Sequence, residues 1–312
     1  MSKILVVFGA TGQQGGSVIK TVLADPELSK TYKIRAVTRD TSKPSSQAFS
    51  SQGVEVIQAD AEDISSLGPA MKNAHTVFSL TTTIYDDELK AREIRQGKAI
   101  ADAAVAAGVQ YLIFSSLPHV SVISDGKYPG VEGFDSKAEV ETYIRGLPIK
   151  SSFFMPGGFL QNFHTGMKPN PVGDGTYVIA NVISPQTKMP LIDAADDSGK
   201  YIAAILAEPE KFEGKVLSAS TDVRSFEEIV KTMSEVSGKT IMYRQLPEEV
   251  FRGFMKRNEI QAENLTQMML YSQDFGYYGP GTKDKVAETA KLARGKLTTL
   301  EDYLKKNPLD LQ

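Results

Sequence analysis

The sequence predicts an α/β protein, with a doubly wound parallel sheet followed by a smaller, mixed and mainly helical C-terminal domain. Strand-like and helix-like segments alternate regularly through the first half of the chain. The strand-like segments are continuous apolar runs, which is typical of parallel strands covered by helices on both faces. The alternation ends near Pro156, so a different architecture is expected beyond that residue. Right-handed crossovers then place helices on both faces of the sheet.

The alternating pattern gives six strands with five helices between them. The strands are expected at residues 4–8, 34–38, 54–58, 76–80, 111–115 and 150–155. The helices are expected at residues 15–24, 45–52, 64–72, 88–107 and 134–145. In such a sheet the ligand crevice lies at the carboxyl ends of the strands. The loops that follow these strands are therefore where functional residues are expected.

The chain divides into a first domain, residues 1–156, and a second, residues 157–312. Gly173-Asp174-Gly175 indicates a hairpin turn before a strand at 176–179. A late strand near 215–219 is expected to return to the first sheet. Asp196 is expected to cap a helix at 198–207. Further helices are expected at 225–237, 248–256, 261–271 and 297–304.

The first strand runs directly into the motif Gly9-x-x-Gly12-x-x-Gly15 and then into a helix. Glycines at this spacing allow a tight turn, close approach of the backbone to a pyrophosphate, and close packing of helix on strand. Backbone N–H groups at the positive end of the helix dipole attract phosphate. The motif predicts dinucleotide binding. The contacts expected from it are Gly9, Thr11, Gly12, Gln13, Gln14 and Gly15.

Composition excludes several classes of function. The 312 residues have an apolar content of 41% and a net charge of −3, which gives no electrostatic footprint for nucleic acid. No cysteine is present, so disulfides, thiol catalysis and zinc–thiolate sites are excluded. The three histidines have no metal-ligand spacing. No apolar run approaches the roughly 20 residues of a membrane helix, and the first strand begins at once. We therefore expect a cytoplasmic or nucleocytoplasmic protein with no metal, membrane or nucleic-acid partner.

The end of the second strand indicates which dinucleotide is bound. A carboxylate there receives the ribose hydroxyls in NAD-binding versions of this fold. Here the strand ends in Thr38 and Arg39, with Lys43 following, and an arginine can hold a 2′-phosphate by charge-assisted hydrogen bonds. NADP(H) is therefore expected over NAD(H). Asp40 leaves NAD(H) open, because a rotated loop would offer its carboxylate to the ribose.

The next two strand ends add candidate contacts. Asp60 and Ala61 follow the third strand, where they would lie near the adenine. Asp60 would equally serve as the cap of the next helix, and both interpretations stay open. Thr81 and Thr82 follow the fourth strand, where they would line the ribose nearer the nicotinamide.

The usual proton donor of a short-chain dehydrogenase is absent. Such enzymes place a tyrosine four residues before a lysine on a helix. No tyrosine of this chain has a lysine four residues later, and Gly133 stands where the tyrosine is expected. Lys137 remains, either as a contact to the nicotinamide ribose or as an acid–base group with a pKa lowered by burial. The plain alternative is a surface lysine that pairs with Glu141.

Other polar and aromatic residues are predicted near the same crevice. Ser115 and Ser116 end the fifth strand, and His119 and His164 lie in loops. After the sixth strand, Pro156, Gly157 and Phe159 are expected beside the cofactor, with the Phe159 ring over the nicotinamide. Core packing would explain the Phe and Met residues of this stretch equally well.

Together these residues resemble the NmrA-like family, an atypical branch of the short-chain dehydrogenase superfamily. The resemblance rests on Gly-Ala-Thr-Gly-x-x-Gly-Gly-Ser-Val at 9–18, Val-Thr-Arg at 37–39, Phe-Asp-Ser-Lys at 134–137, Met-Pro-Gly-Gly-Phe-x-x-Asn-Phe at 155–163 and Leu-Ile-Asp at 191–193. It implies a Rossmann domain, a small C-terminal domain and bound NAD(P).

The resemblance also implies two alternative roles. Some members are regulators that lack the tyrosine, sense cofactor redox state and contact other proteins. Related reductases use NADPH and carry a lysine at the position of Lys137. The first expectation is therefore an NADP(H)-binding redox sensor with a regulatory protein partner. The second is an NADPH-dependent reductase, in which Lys137 acts on a small aromatic or enone substrate held between Phe159 and the C-terminal helices.

Overall fold

A computed structural model describes residues 2–255 and 258–311. The strands are β1 (Lys3–Val7), β2 (Tyr32–Thr38), β3 (Glu55–Gln58), β4 (Thr76–Ser79), β5 (Tyr111–Ser115), β6 (Lys150–Pro156), β7 (Gly158–Phe159), β8 (Asn170–Pro171), β9 (Tyr177–Asn181), β10 (Lys188–Ile192), β11 (Val216–Ala219), β12 (Asp222–Ser225) and β13 (Ile241–Gln245).

The helices are α1 (Gln13–Ala24), α2 (Leu28–Thr31), α3 (Pro44–Ser51), α4 (Ile64–Met71), α5 (Leu89–Ala106), α6 (Val120–Ile123), α7 (Glu132–Arg145), α8 (Ala194–Ala207), α9 (Pro209–Phe212), α10 (Phe226–Ser237), α11 (Glu248–Gly253), α12 (Glu259–Phe275), α13 (Thr282–Ala290) and α14 (Leu300–Lys306). A 3-10 helix, Leu160–His164, follows β7.

Seven strands form the central sheet in the order β11-β6-β5-β4-β1-β2-β3. All its pairings are parallel, and the strand order reverses beside β1. The predicted doubly wound fold is therefore confirmed. The six predicted strands differ from those observed by no more than two residues at either end. The late strand at 215–219 does return to the sheet, where β11 pairs with β6.

Helices cover both faces of this sheet, which explains the continuous apolar strands. In β1, Leu5 and Val7 face one buried cluster with α1 and α8, whereas Val6, and Phe8 just after the strand, face another with α4, α5 and α7. Successive strand residues point to opposite faces, so burial on both sides requires an unbroken apolar run. The loops at the carboxyl ends of the strands are consequently brought to one edge.

The C-terminal part contains two three-stranded sheets as well as helices. One has the order β12-β10-β7 and the other β13-β9-β8, and each mixes parallel with antiparallel pairs. The antiparallel pairing of β8 with β9 confirms the hairpin at Gly173–Gly175. Strands β10, β12 and β13 and helix α13 were not predicted, because their short segments lack a clear period. A third apolar cluster joins these sheets to α10, α12 and α14.

Two predicted helix boundaries in this part are corrected. Helix α8 is capped by Asp193, whose carboxylate accepts hydrogen bonds from the N–H groups of Ala195 and Asp196, each at 3.1 Å. The prediction that Asp196 is the cap is wrong, because Asp196 already lies within the first helical turn. Helix α11 ends at Gly253, and the predicted end at Lys256 lies outside the described residues. In residues 2–255 and 258–311, no helix is long and apolar enough to cross a membrane.

Candidate functional site

A cavity of about 730 Å³ lies at the carboxyl ends of the central strands and extends toward the C-terminal sheets. It brings together nearly all of the predicted site residues. Those that line it are Gly9, Thr11, Gly12, Gln13, Gln14, Arg39, Asp60, Ala61, Thr81, Thr82, Lys137, Pro156, Gly157 and Phe159.

The glycine loop forms one end of the cavity. Gly9 has φ +61°, a left-handed conformation that favours glycine, and its carbonyl accepts a hydrogen bond from Gly12 N at 2.9 Å. Helix α1 begins at Gln13, so its free N–H groups and the positive end of its dipole are at the cavity. Gly15 does not line the cavity. A Cβ on Gly15 would lie 2.3 Å from Gly9 O, so this glycine permits the helix to pack against the loop.

A free cation and an engaged carboxylate follow β2. Arg39 is exposed, lines the cavity, and forms no ion pair within the part of the chain that the structure describes. Asp40 Oδ1 instead accepts hydrogen bonds from Ser42 Oγ at 2.6 Å and Ser42 N at 2.9 Å. These bonds hold the pKa of Asp40 below its usual value. The loop thus presents a guanidinium to a ligand while its carboxylate is turned to its own backbone.

Asp60 lies in the cavity wall and is not the cap of α4. Asp63 caps that helix by accepting a hydrogen bond from Ser65 N at 3.1 Å. Asp60 Oδ1 accepts one from Glu62 N at 3.0 Å. Of the two interpretations left open, the capping one is wrong.

Lys137 lies on α7 with its side chain turned into the protein. The side chain is only 10% exposed, and Nζ donates to Glu93 Oε2 at 2.6 Å, Thr83 Oγ1 at 3.0 Å and Gly133 O at 3.1 Å. The surface pairing with Glu141 is wrong, since Glu141 pairs with Arg145 at 2.7 Å. An ammonium group has three N–H donors, and each has a partner here.

Glu93 is the residue that holds this lysine, and it was not predicted. Its side chain is 1% exposed on α5, and Oε2 also accepts hydrogen bonds from Thr81 Oγ1 and Ser136 Oγ, both at 2.9 Å. A signal was present in the sequence. Leu89, Glu93 and Gly97 repeat at four-residue spacing, which places a carboxylate within the buried stripe of the helix.

The position of the missing proton donor is bordered by other side chains. A Cβ on Gly133 would lie 3.4 Å from Thr83 Cγ2 and 3.8 Å from Asn264 Nδ2, so neighbouring side chains occupy that direction. Tyr85 and Tyr277 do line the cavity. Burial raises the pKa of both phenols, the opposite of the lowering that an acid catalyst of this kind needs.

The predicted serines and histidines play smaller parts. Ser115 lines the cavity and donates to Gln14 Oε1 at 2.8 Å, whereas Ser116 is buried behind the lining. His119 Nδ1 lies 3.2 Å from Asp135 Oδ1. His164 is half-buried beside the Tyr303 ring, and burial lowers its pKa. Neither histidine belongs to the lining.

The far end of the cavity is apolar, and we call it the apolar compartment. It is built mainly by the C-terminal part of the chain, and its walls are aromatic, methionine and aliphatic side chains. They are Phe163, Met167, Met189, Leu191, Phe226, Ile229, Leu265, Met268, Met269 and Tyr277. Phe163 and Leu191 lie in motifs named above, but none of these residues was predicted as part of a site, because nothing in the local sequence joins them. Lys137 and Thr83 line the same cavity as the glycine loop and the apolar compartment.

Known proteins share this architecture. The NmrA-like family model matches residues 1–304. A curated relative, the NmrA-like family domain-containing oxidoreductase FrzB of Cladobotryum sp, is 29% identical over 95% of this chain and 94% of its own length.

Two solved structures are similar over nearly the whole chain. The negative transcriptional regulator NmrA in complex with NADP has a TM-score of 0.80 at 23% identity, covering 98% of this chain and 95% of that one. Another structure of NmrA is a complex with NAD. The triphenylmethane reductase of Citrobacter sp. complexed with NADP(H) has a TM-score of 0.76 at 23% identity, covering 97% and 99%. The similar structures agree with the fold described above, and the family match extends over almost the entire sequence: this chain belongs to the NmrA-like family.

Proposed function

We propose that the protein binds NADP(H) in the glycine end of the cavity, with NAD(H) as a weaker ligand. The glycine loop and the start of α1 would receive the pyrophosphate, since the first N–H groups of a helix have no partner within it. Arg39 would hold the 2′-phosphate, since no described residue neutralises it. Asp60, Ala61, Thr81 and Thr82 would line the adenosine and ribose. The NADP and NAD complexes of NmrA support this proposal.

Calorimetric titration with NADPH and NADH tests the cofactor preference. Arg39→Ala should weaken NADPH binding by about 10- to 100-fold, since a hydrogen bond to a charged group contributes about 1.5–3 kcal/mol, and should leave NADH binding nearly unchanged. Arg244→Ala is the matched control, because Arg244 is exposed on β13 outside the cavity lining. Equal affinity of the native protein for both dinucleotides would contradict the preference.

We further propose that the protein is an NADPH-dependent oxidoreductase of a small, apolar carbonyl compound such as an aromatic quinone or enone. One observation carries this: the cavity lined by the glycine loop and Lys137 is also lined by the apolar compartment. Sites for small molecules are usually concave and mostly apolar, with few polar groups. A dinucleotide alone does not account for a second, methionine-rich end. The oxidoreductase named among the relatives and the Citrobacter reductase support the same function.

The direct assay is NADPH oxidation in the presence of quinones and enones. Leu265→Trp should fill part of the apolar compartment, abolishing turnover while NADPH binding persists. Leu270→Trp is the control, since Leu270 lies on the same helix α12 but outside the lining. If both variants behave alike, or if no apolar carbonyl is reduced, the oxidoreductase proposal fails.

A redox-sensing regulator is the second candidate. Gly133 replaces the usual tyrosine, and Lys137 has no donor left for a substrate, so ordinary short-chain dehydrogenase catalysis is not supported. The similarity to NmrA favours the same role. NADPH and NADP+ would then bind two conformations with different affinities and change the surface offered to a protein partner in the cytoplasm or nucleus. Protein that binds both dinucleotides tightly but never oxidises NADPH would favour this candidate.

The proposal assigns each half of the chain one task. Residues 1–156 would form the dinucleotide-binding domain, completed by β11. Residues 157–312 would form a second domain that supplies most of the apolar compartment. Expression of residues 157–312 alone is not expected to give a folded protein, because β11 and α8 pack on the first domain.

A further inference from the structure

We propose that the hydroxyl of Thr83 is the hydrogen-bond donor that binds the carbonyl oxygen of the ligand in the apolar compartment. The inference rests on the proposed function, and it assigns the polar contact that the missing tyrosine would otherwise make. Thr83 lies in the loop between β4 and α5, is half-buried, and lines the cavity.

Lys137 cannot make this contact from its observed position. Its three N–H donors point to Glu93 Oε2, Thr83 Oγ1 and Gly133 O. Lysine has no acceptor and no fourth donor. A ligand oxygen near Lys137 would therefore have to displace one of these partners, and loss of Glu93 would leave a buried carboxylate unpaired.

The hydroxyl of Thr83 is oriented by the same lysine. Thr83 Oγ1 accepts the hydrogen bond from Lys137 Nζ at 3.0 Å, so its own proton must point elsewhere. Among residues 2–255 and 258–311 no acceptor receives that proton. A hydroxyl that accepts from an ammonium group becomes a better donor, because hydrogen bonds in a chain polarise one another. Thr83 is thus a free, polarised donor at the cavity surface.

Thr83 lies beside the position at which the tyrosine is missing. A Cβ on Gly133 would lie 3.5 Å from Thr83 Oγ1, so the two positions are adjacent. Tyr85 and Tyr277 also line the cavity, but Lys137 Nζ donates a hydrogen bond to Thr83 and to neither of these phenols, so Thr83 is the hydroxyl that Lys137 directly polarises.

The proposed reaction requires only that Thr83 donate a hydrogen bond. Bound NADPH would supply a hydride, and as the ligand accepts it, negative charge would develop on the carbonyl oxygen. Thr83 would stabilise this charge by donating a hydrogen bond and would keep its own proton, as donors in oxyanion holes do. The proton that completes the reduced product comes from water. Glu93 acts as a positioning residue, since it holds Lys137 and does not line the cavity.

The test compares Thr83→Val, which removes the hydroxyl at nearly constant shape, with Thr83→Ser, which retains it. Menadione, an apolar naphthoquinone, is titrated into protein saturated with NADP+, where no reduction can occur, and its Kd is measured by calorimetry. Thr83→Val should raise that Kd by about 3- to 10-fold and lower kcat for menadione reduction by about 100-fold. Thr83→Ser should recover most of both. The Kd for NADPH should remain at the native value in all variants.

Each other outcome has a distinct meaning. If Thr83→Val weakens NADPH binding but not menadione binding, Thr83 contacts the dinucleotide and the inference is overturned. Native Kd and kcat in Thr83→Val overturn it as well. If the native protein binds menadione through Thr83 but oxidises no NADPH, the donor assignment stands and the oxidoreductase proposal fails. If native protein saturated with NADP+ does not bind menadione, both fail. Thr83→Ala replaces Thr83→Val if the valine variant does not fold.

Discussion

The two ends of the cavity are built in different ways. The glycine end consists of loop residues that follow the strands of the central sheet. Each of them is close in sequence to the end of a strand. The apolar compartment consists of large side chains drawn from positions 163 to 277, which only the tertiary fold brings together. Phosphate is recognised by backbone donors whose geometry is local, whereas an apolar ligand is recognised by packed side chains. The first kind of site is readable in a motif, and the second is not.

Between them lies a buried polar junction, made of Glu93, Lys137 and Thr83. This junction is neither a backbone site for phosphate nor an apolar site. It depends on the packing of α5 against α7 and on the loop after β4. Changes at the junction, at the glycine end and in the apolar compartment should therefore differ in size and in kind.

The largest effect is expected at the junction. Lys137→Met leaves the Glu93 carboxylate buried without its ammonium partner, which should lower the free energy of unfolding by about 3–5 kcal/mol. Lys90→Met is the matched control, because the Lys90–Glu139 pair also joins α5 to α7 but its side chains are 39% and 38% exposed. That pair should contribute about 0–1 kcal/mol. Denaturant titration measures both, and equal losses would show that the junction is not tightly buried.

At the glycine end, a side chain at position 15 should destabilise the protein by contacting the backbone of the glycine loop. Gly15→Ala places a Cβ 2.3 Å from Gly9 O, so α1 must shift, at a cost of about 1–3 kcal/mol in unfolding free energy and with loss of NADPH affinity. Gly16→Ala is the adjacent control. Its Cβ would meet Ala10 O at 3.5 Å, an ordinary contact, and alanine should stabilise the helix by up to about 1 kcal/mol. Similar behaviour of the two variants would contradict the role given to Gly15.

The apolar compartment should tolerate a change of shape at nearly constant volume. Met268→Leu should lower the unfolding free energy by less than about 1.5 kcal/mol and leave NADPH affinity unchanged, because such exchanges keep the apolar volume. The preference among quinones and enones should change instead, which a comparison of kcat/KM across substrates measures. Altered NADPH binding with an unaltered substrate preference would reverse the assignment of the two ends.

The smallest effect concerns the ion pairs that join α1 of the glycine end to the C-terminal part. Burial alone would raise the pKa of Asp196, but hydrogen bonds from Lys20 and Lys306 outweigh it and lower the pKa from 3.8 to about 2. A depressed carboxyl pKa stabilises the fold above about pH 4 and loses that contribution as the pH falls toward 2. Asp196→Asn should therefore cost about 1 kcal/mol at neutral pH, since the lysines are largely solvated.

Unfolding of the native protein and Asp196→Asn between pH 7 and pH 2 measures this difference. We expect the two free energies to converge as the pH approaches 2. A gap that stays constant over the whole range would show that Asp196 acts by packing and not by its charge.

The sequence alone predicted the parts of the molecule that local patterns determine. Continuous apolar runs located the six strands of the first half, and the order glycine loop, Arg39, Asp60 and Thr81 followed from strand ends meeting at one edge. Asp193 was missed as a cap because a second acidic residue follows three positions later and competes for the same role. Glu93 was missed because a charged residue in a helix is ordinarily solvated, although its spacing from Leu89 and Gly97 placed it within the buried stripe of α5.

The apolar compartment could not be predicted for a different reason. Methionine and phenylalanine residues at positions such as 189, 226 and 268 are equally suited to a core, and part of this set does lie in the third apolar cluster. Whether a large apolar side chain packs in a core or faces a cavity depends on distances between distant segments, and no local period encodes them.

We propose above that a dinucleotide at the glycine end lies in contact with an apolar ligand in the apolar compartment. The direct measurement is mass spectrometry of the product formed from (4R)- and (4S)-[4-²H]NADPH with an enone such as 2-cyclohexenone, in which the transferred hydride remains on carbon. We expect one deuterated NADPH to give a product carrying deuterium on carbon and the other to give an unlabelled product. Unlabelled product from both, or no NADPH oxidation by protein that binds NADPH, would contradict it.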